Sequence, residues 1–254
     1  MQTVTSTDGT EIAYEQHGDG PPLVLVHGGS GSRHSWDALV PHLTDDFTVV
    51  VPDRRGRGDS GDADDYSLER EVADVRAVIE AIDGTPTLFG HSFGGLCALE
   101  AAQHGGIDRL VLYEPAVLTG SHRTASDLAA RMQKLVDAGD RKAAAERFFR
   151  EGSGVENLEQ LPVAQAATIV ETMIRENRAI EQYSLADDLS LPVPTLLLTG
   201  VHGPEHLRDG VQTLSETLED SRLVELDDVG HLAVFSAPEL VADELRAFVR
   251  DASP

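Results

Sequence analysis

The chain has 254 residues, of which 41% are hydrophobic, and a formal net charge of −24. This length suffices for one large domain or a domain with an insertion, and the spread of hydrophobic residues excludes a disordered chain. No apolar run approaches the ~18 residues that cross a membrane, and the N-terminal segment lacks the basic and apolar regions of a signal peptide. We therefore expect a soluble, cytoplasmic protein.

Acidic residues outnumber basic ones by 44 to 20, and the only lysines are Lys134 and Lys142. Aspartates cluster at 45–46, 62–65, 187–188 and 227–228. Self-repulsion on this scale weakens the compact state unless salt screens it, which predicts a halophilic, salt-adapted protein; an ordinary acidic surface is the alternative. The charge disfavours nucleic acid and anionic membrane surfaces as partners. The single cysteine, Cys97, excludes an internal disulfide and is expected to be a small buried residue.

The first half of the chain alternates strand-like and helix-like segments. A hairpin is predicted around Asp8-Gly9, then a buried strand at 23–26, a helix from Ser35, a strand at 47–51, a helix at 67–82 closed by Gly84, a strand at 87–89, a helix around 96–99 and a strand at 110–113. This rhythm predicts a mostly parallel sheet covered by helices on both faces. Ligands bind such sheets at the carboxyl ends of the strands.

The alternation of strands and helices stops between residues 116 and 189. Apolar residues at helical spacing predict helices around 128–136, 143–149 and 163–174 in this segment. Strands at 195–198 and 222–226 and a helix at 240–249 then complete the chain.

The central motif is Gly90-His91-Ser92-Phe93-Gly94, a G-x-S-x-G sequence between an apolar strand and an apolar helix. A serine in this context lies on a sharp strand-to-helix turn that exposes its hydroxyl, and the small residues let the turn close. The following helix directs its N-terminal amides to the same place. We therefore predict that Ser92 is a nucleophile.

Four motifs in order resemble those of the α/β-hydrolase family. They are His27-Gly28, the run D-x-R-G-x-G-x-S at 53–60, the G-x-S-x-G motif and the late pair Gly230-His231. The resemblance implies an α/β fold, the α/β-hydrolase fold, with a mostly parallel central sheet, helices on both faces and a helical cap insertion. It places the hydrolase core at residues 1–115 and 190–254 and the cap at 116–189.

A serine nucleophile needs a base, and His231 follows it in the chain order that this fold requires. A third residue, with a carboxylate, must hold the histidine tautomer and stabilise the imidazolium. The family usually supplies this acidic residue as an aspartate in a G-x-x-D pattern after strand 195–198, but Gly203 stands in that place. Some members take the acid from the end of the preceding strand, which here is Glu114, and Pro115 should keep its backbone extended. We favour Glu114 as the acidic residue that orients His231. Glu205, Asp209 and the absence of any functional acidic residue remain alternatives.

The backbone amides of Gly29 and Phe93 are expected to form the oxyanion hole, because one follows the His27-Gly28 loop and the other follows the nucleophile. His27 is expected to be structural and to brace this loop. Asp53 and Arg55 resemble the family's loop-bracing pair, and no catalytic role is expected for them. No duty is assigned to His91.

The run His202-Gly203-Pro204-Glu205-His206 spells H-x-x-E-H, which binds metal only when both histidines lie on one helical face. Glycine and proline in the middle oppose such a helix, so we expect no metal and no cofactor. The prediction is a serine hydrolase acting on an ester-like carbonyl of a small-molecule substrate. Lactonase, C–C bond hydrolase, perhydrolase or lyase chemistry, or a catalytically idle binding protein, remain open, as does the oligomeric state.

Overall fold

A computed structural model describes residues 1–251 of the chain. Its centre is an eight-stranded sheet. The strands are β1 (Gln2–Thr5), β2 (Glu11–His17), β3 (Pro22–Val26), β4 (Thr48–Pro52), β5 (Thr87–His91), β6 (Arg109–Tyr113), β7 (Thr195–Gly200) and β8 (Ser221–Leu226). Their order is β1-β2-β4-β3-β5-β6-β7-β8; β1 and β2 run antiparallel at one edge, and the other six strands are parallel. The predicted fold class is therefore confirmed.

Ten α-helices lie within the described residues. They are α1 (Leu68–Ala81), α2 (Phe93–Ala102), α3 (Gly120–Ala125), α4 (Leu128–Asp137), α5 (Arg141–Arg147), α6 (Val163–Ala166), α7 (Val170–Gln182), α8 (Glu205–Thr217), α9 (Ala233–Ser236) and α10 (Pro238–Asp251). No helix within residues 1–251 is long and apolar enough to cross a lipid bilayer.

Alternate side chains of the parallel strands bury opposite faces of the sheet, as the two-residue period of a strand requires. On one face, Val24, Leu88 and Leu112 pack with α1, α2 and α8. On the other face, Leu25 and Phe89 pack with Trp36 and with helices α9 and α10. Cys97 is buried on the first face, as expected. Burial on both faces explains why these strands read as continuous apolar runs.

Helices α3 to α7 occupy the segment that we predict to be a cap. The segment has an apolar cluster of its own, separate from the two clusters on the sheet. Its largest members are Met132, Phe148, Phe149, Met173 and Ile174. The helix predicted at 163–174 is interrupted, because residues Ala167–Ile169 form a 3₁₀ turn between α6 and α7.

One predicted helix is wrong. In place of the α-helix predicted from Ser35, the chain forms two 3₁₀ turns, Arg33–Trp36 and Val40–His42. Ser32 caps the first turn, and Pro41 in the second has no N–H to donate to an α-helical ladder. Helix α8 was not predicted, although Leu207, Val211 and Leu214 are buried at helical spacing.

Candidate active site

Ser92 lies on a sharp turn between β5 and α2. Its φ of +56° is in a region that non-glycine residues rarely adopt, and a residue held there stores backbone strain. Three backbone hydrogen bonds hold the turn. The Ser92 N–H donates to the carbonyl of Tyr113 at 3.0 Å, and the Ser92 carbonyl accepts from Ala116 at 2.9 Å and from Leu96 at 3.2 Å. The strand-to-helix turn expected from the G-x-S-x-G motif is present.

The two glycines of the motif make this turn possible. A Cβ on Gly90 would lie 2.5 Å from the carbonyl oxygen of Gly94, and a Cβ on Gly94 would collide with the carbonyl oxygens of Val26 and His27. Real Cβ atoms do not approach so closely, so a side chain at either position would push helix α2 away from the sheet. The two glycines therefore allow helix α2 to pack close to the sheet at the Ser92 turn.

His231 and Glu114 are in direct contact. Nδ1 of His231 lies 2.7 Å from Oε2 of Glu114, and both side chains are buried. The other carboxylate oxygen, Oε1, accepts a hydrogen bond from the Thr199 hydroxyl and one from the Gly200 N–H, each at 2.9 Å. An ionised carboxylate only accepts hydrogen bonds, so Nδ1 of His231 carries the proton and Nε2 is left with a lone pair. An imidazole in this tautomer can act as a base.

The backbone at Glu114 differs from the expectation. Its φ is +41°, so the chain turns sharply here and the extended conformation expected from Pro115 is wrong. The Glu114 N–H still pairs with the carbonyl of Leu198 at 3.0 Å, while the Ala116 N–H already bonds to Ser92. The turn between these two bonds directs the carboxylate toward His231, and these contacts outweigh the preference that a following proline imposes.

The two alternative acids lie elsewhere. Glu205 and Asp209 are exposed residues of α8 and not of a loop, and Asp209 pairs with Nε2 of His122 at 3.0 Å. Gly203 lies beside the carboxylate of Glu114, where a Cβ would collide with Oε1. Position 203 therefore has no room for a side chain while Glu114 holds its place.

A histidine to which the sequence assigned no role supports the His231 loop. Nε2 of His91 donates to the carbonyl of His231 at 2.9 Å, and the two rings lie 4.6 Å apart. The hydroxyl of Tyr113 donates to the carbonyl of Gly230 at 2.7 Å. Burial lowers the pKa of His91 well below its ordinary value, and His231 adds to this, so the ring stays neutral. The only sequence feature that could have indicated this contact is the presence of a histidine at the end of the apolar strand before Ser92.

The loop after β3 lies against the nucleophile. A Cβ on Gly28 would lie 3.1 Å from Cβ of Ser92, so the Gly28-Gly29 backbone runs directly beside the serine. His27 braces this loop as expected: Nδ1 lies 2.9 Å from the Gly28 carbonyl and Nε2 accepts from the Arg54 N–H at 3.1 Å. Burial, followed by the charge of Arg54, lowers the pKa of His27 well below its usual range.

Asp53 and Arg55 also brace loops, but they do not bond to each other. Oδ1 of Asp53 accepts from the Arg33 N–H at 2.7 Å. Arg55 donates to both oxygens of Asp74, at 2.7 and 2.8 Å, and to Asp8 at 3.0 Å. These buried contacts fasten the segment after β4 to the hairpin and to helix α1.

The H-x-x-E-H run does not lie on one helix. His202 is in the turn before α8 and His206 is in its first turn. Among residues 1–251, no group of three or more histidine, cysteine, aspartate or glutamate side chains is arranged to hold a metal ion.

A cavity of about 350 Å³ opens at Ser92. Gly29, Ser92 and Phe93 form its floor, and Leu128, Phe148 and Ile180 from the cap segment line it with apolar surface. The polar side chains in the wall include those of Glu151, Glu176, Glu181 and His206. An apolar cavity with a few polar groups is typical of a small-molecule site.

Comparisons with known proteins extend these observations. A sequence model of the alpha/beta hydrolase family matches residues 23–244. The chain is 27% identical over 280 residues to a non-heme chloroperoxidase of Streptomyces lividans, covering 98% of this chain and 100% of that protein. It is 29% identical to a pyrrolizixenacetamide deacetylase of Xenorhabdus hominickii, covering 94% of each chain. The crystal structure of an alpha/beta hydrolase from Sphaerobacter thermophilus is 33% identical and superimposes with a TM-score of 0.82, covering 96% of this chain and 100% of that one.

Proposed function

Because the chain belongs to the alpha/beta hydrolase family, we propose that it is a serine hydrolase that cleaves an ester-like carbonyl bond through an acyl-enzyme. One observation carries the proposal: Nδ1 of His231 lies 2.7 Å from a buried carboxylate oxygen of Glu114, on the same edge of the sheet as the strained Ser92. Ser92, His231 and Glu114 are the proposed catalytic residues.

In the proposed reaction, Oγ of Ser92 attacks the substrate carbonyl carbon while Nε2 of His231 takes the hydroxyl proton. The N–H groups of Gly29 and Phe93 stabilise the resulting oxyanion. The carbonyl re-forms, the bond to the leaving group breaks, and His231 gives the proton to that group. A water molecule then attacks the acyl-enzyme with His231 again as base, which releases the carboxylic acid and restores Ser92. The protein residues supply all of these proton transfers, and we expect no cofactor.

Glu114 has two tasks in this scheme. It holds the His231 tautomer whose Nε2 faces away from the carboxylate, and its negative charge stabilises the imidazolium that forms when Ser92 loses its proton. Its hydrogen bonds from Thr199 and Gly200 hold the carboxylate in its orientation. An occupied acid position supports an enzyme over a catalytically idle binding protein on the same scaffold.

The test is turnover of p-nitrophenyl acetate and p-nitrophenyl butyrate at low and multimolar KCl, with the Ser92→Ala variant measured beside the wild type. We expect hydrolysis that Ser92→Ala abolishes, together with covalent labelling of Ser92 by a fluorophosphonate. Failure of the wild type to hydrolyse either ester or to react with the fluorophosphonate, in either salt, would overturn the proposal and favour the binding protein.

We also propose that the enzyme is cytoplasmic and halophilic. Acidic side chains exceed basic ones by 24, and the paired aspartates Asp64, Asp65, Asp187 and Asp188 are all exposed. Exposed charges of one sign repel each other over about 10 Å at 0.1 M salt and over about 3 Å at 1 M. A salt-rich medium would therefore remove much of the repulsion that this surface carries.

A further inference from the structure

Glu176 is a buried carboxylate that the proposed reaction does not use. It lies on α7, in the cap segment, with 1% of its surface exposed, and it forms part of the cavity wall next to Gly29. A charged group at such a position is costly to bury, so its surroundings should show what compensates it.

One carboxylate oxygen is fully occupied. Oε1 accepts from Nη2 of Arg57 at 2.7 Å and from Nη2 of Arg54. The same Arg57 nitrogen donates to the Gly29 carbonyl at 2.6 Å, and Arg54 donates to the carbonyls of His27 and Gly28. The two guanidinium groups thus tie Glu176 to the loop that supplies the proposed oxyanion N–H. The carboxylate cannot turn without breaking this contact.

The other oxygen has no partner. No protein group within residues 1–251 hydrogen-bonds Oε2, although the atom is shielded from bulk solvent. Two nearby carboxylates in the same wall differ in burial, because Glu181 is partly exposed and Glu151 is exposed, so that solvent reaches both. An acceptor left without a donor in a buried site loses free energy that a ligand's donor can restore.

Oε2 is close to the place where a substrate carbonyl would bind. It lies 3.1 Å from the position of a Cβ built on Gly29. A Cβ is about 2.5 Å from the amide nitrogen of its own residue, so Oε2 is within about 6 Å of the Gly29 N–H. A group only a few bonds from the carbonyl carbon can therefore reach it.

The charges around Glu176 favour an acceptor. Burial raises the pKa of the Glu176 carboxyl above its ordinary value, and the charges of Arg54 and Arg57 oppose that rise. Arginine stays protonated at any ordinary pH, and both guanidinium groups bond directly to this carboxylate. The negative charge is held between two permanent positive charges.

We propose that Oε2 of Glu176 accepts a hydrogen bond from a hydroxyl or amino group that the substrate carries close to the carbonyl attacked by Ser92. This inference rests on the proposed function and names the substrate class: acyl compounds with a hydrogen-bond donor near the carbonyl. A site built to bond a donor rejects the analogue that lacks it, because its polar group is then left unpaired.

The test compares p-nitrophenyl 3-hydroxybutyrate and p-nitrophenyl 3-aminobutyrate with p-nitrophenyl butyrate, after correction for spontaneous hydrolysis. In the wild type we expect kcat/KM for at least one donor-bearing ester to exceed that for butyrate by about tenfold or more. The hydroxy and amino esters show which donor the site prefers. A wild-type ratio near one for both esters overturns the proposal.

Glu176→Gln keeps an oxygen for the two arginines and places an amide N–H₂ toward the cavity, so the tenfold preference should fall to about one. The matched control is Glu71→Gln. Glu71 bonds the same Arg54, at 3.1 and 3.2 Å, but does not line the cavity. If only the lost negative charge beside Arg54 mattered, both variants would lower the preference for donor-bearing esters to the same extent. If Glu176 binds the substrate's donor, Glu71→Gln should keep that preference. An unchanged preference in Glu176→Gln contradicts the proposal.

Calorimetric binding of 3-hydroxybutyramide, 3-aminobutyramide and butyramide to Ser92→Ala tests the subsite without turnover. Tighter binding of a donor-bearing amide supports it even if no ester is hydrolysed, and that result would reject the proposed reaction alone. It also decides the matter if Glu176→Gln does not fold, since equal binding of all three amides would reject the subsite.

Discussion

The carboxylate of Glu114 fills the space that a side chain at position 203 would need. A Cβ on Gly203 would collide with Oε1 of Glu114, the oxygen that Thr199 and Gly200 hold. The family pattern usually has an aspartate at position 203. The two positions thus compete for one volume beside His231, and a glycine at 203 is what a glutamate at 114 requires.

Replacing Glu114 by glutamine should lower kcat by about 10²–10⁴-fold, because a neutral amide neither stabilises the imidazolium nor selects the required tautomer. KM should change little, since Glu114 is not in the cavity wall. Steady-state hydrolysis of p-nitrophenyl butyrate measures both constants. Asp209→Asn, at an exposed residue of α8, is the control and should retain nearly normal turnover. A near-normal kcat for Glu114→Gln would reject the catalytic role proposed for Glu114.

Moving the acid from position 114 to position 203 should partly restore activity. Gly203→Asp alone should be poorly active or poorly folded, because its side chain collides with Glu114. Glu114→Gly empties that space and suits the positive φ at this position. We expect Glu114→Gly/Gly203→Asp to exceed the kcat of Glu114→Gly by at least about tenfold, as a double-mutant cycle would show. Simple additivity of the two losses would mean that the positions do not share one role.

The sequence singled out residues that a motif or the family's chain order indicates, and it missed residues that neither of these indicates. Ser92 was predicted because its motif is local, and His231 because its place follows from the chain order of the fold. The bond between His91 and His231 joins residues 140 positions apart, and that between Arg54 and Glu176 joins residues 122 apart. No local pattern or family motif indicates these two pairs, and only the folded structure brings their members together.

The same reasoning explains the errors in local structure. The φ of +41° at Glu114 is imposed by hydrogen bonds to Leu198 and Ser92 on neighbouring segments, against the local preference before Pro115. By contrast, the helical spacing of Leu207, Val211 and Leu214 in the sequence already indicated helix α8. Tertiary contacts therefore account for the first error, whereas the second came from not applying the helical period to this stretch.

His91 should make stability depend on pH between about 7 and 5.5. Its pKa is well below the usual value in the folded protein, so below about pH 6.5 the unfolded chain takes up a proton that the folded chain does not. Stability therefore falls as pH falls, by about 1.4 kcal/mol per pH unit for this group. The buried His27, whose pKa is lowered in the same way, should add a similar slope.

The variant His91→Phe separates these contributions. At pH 7.5 it should be about 1–3 kcal/mol less stable than the wild type, because the carbonyl of His231 loses its donor. Its stability should fall less steeply on acidification, by about 1.4 kcal/mol per pH unit, since one titrating group is gone. Urea unfolding at pH 5.5–7.5 gives both quantities. Parallel curves for the two proteins would show that His91 does not remain neutral in the fold.

Salt should stabilise the protein, because screening weakens the repulsion within a surface of net charge −24. We expect the melting temperature to rise from low to multimolar KCl, by roughly 2–4 °C for each kcal/mol of repulsion removed. Asp187→Asn/Asp188→Asn neutralises two exposed neighbouring charges. If repulsion is the cause, this variant melts above the wild type at low salt, and the two curves converge as KCl increases. A wild-type melting temperature that stays flat from low salt to multimolar KCl would reject salt adaptation and leave an ordinary acidic surface.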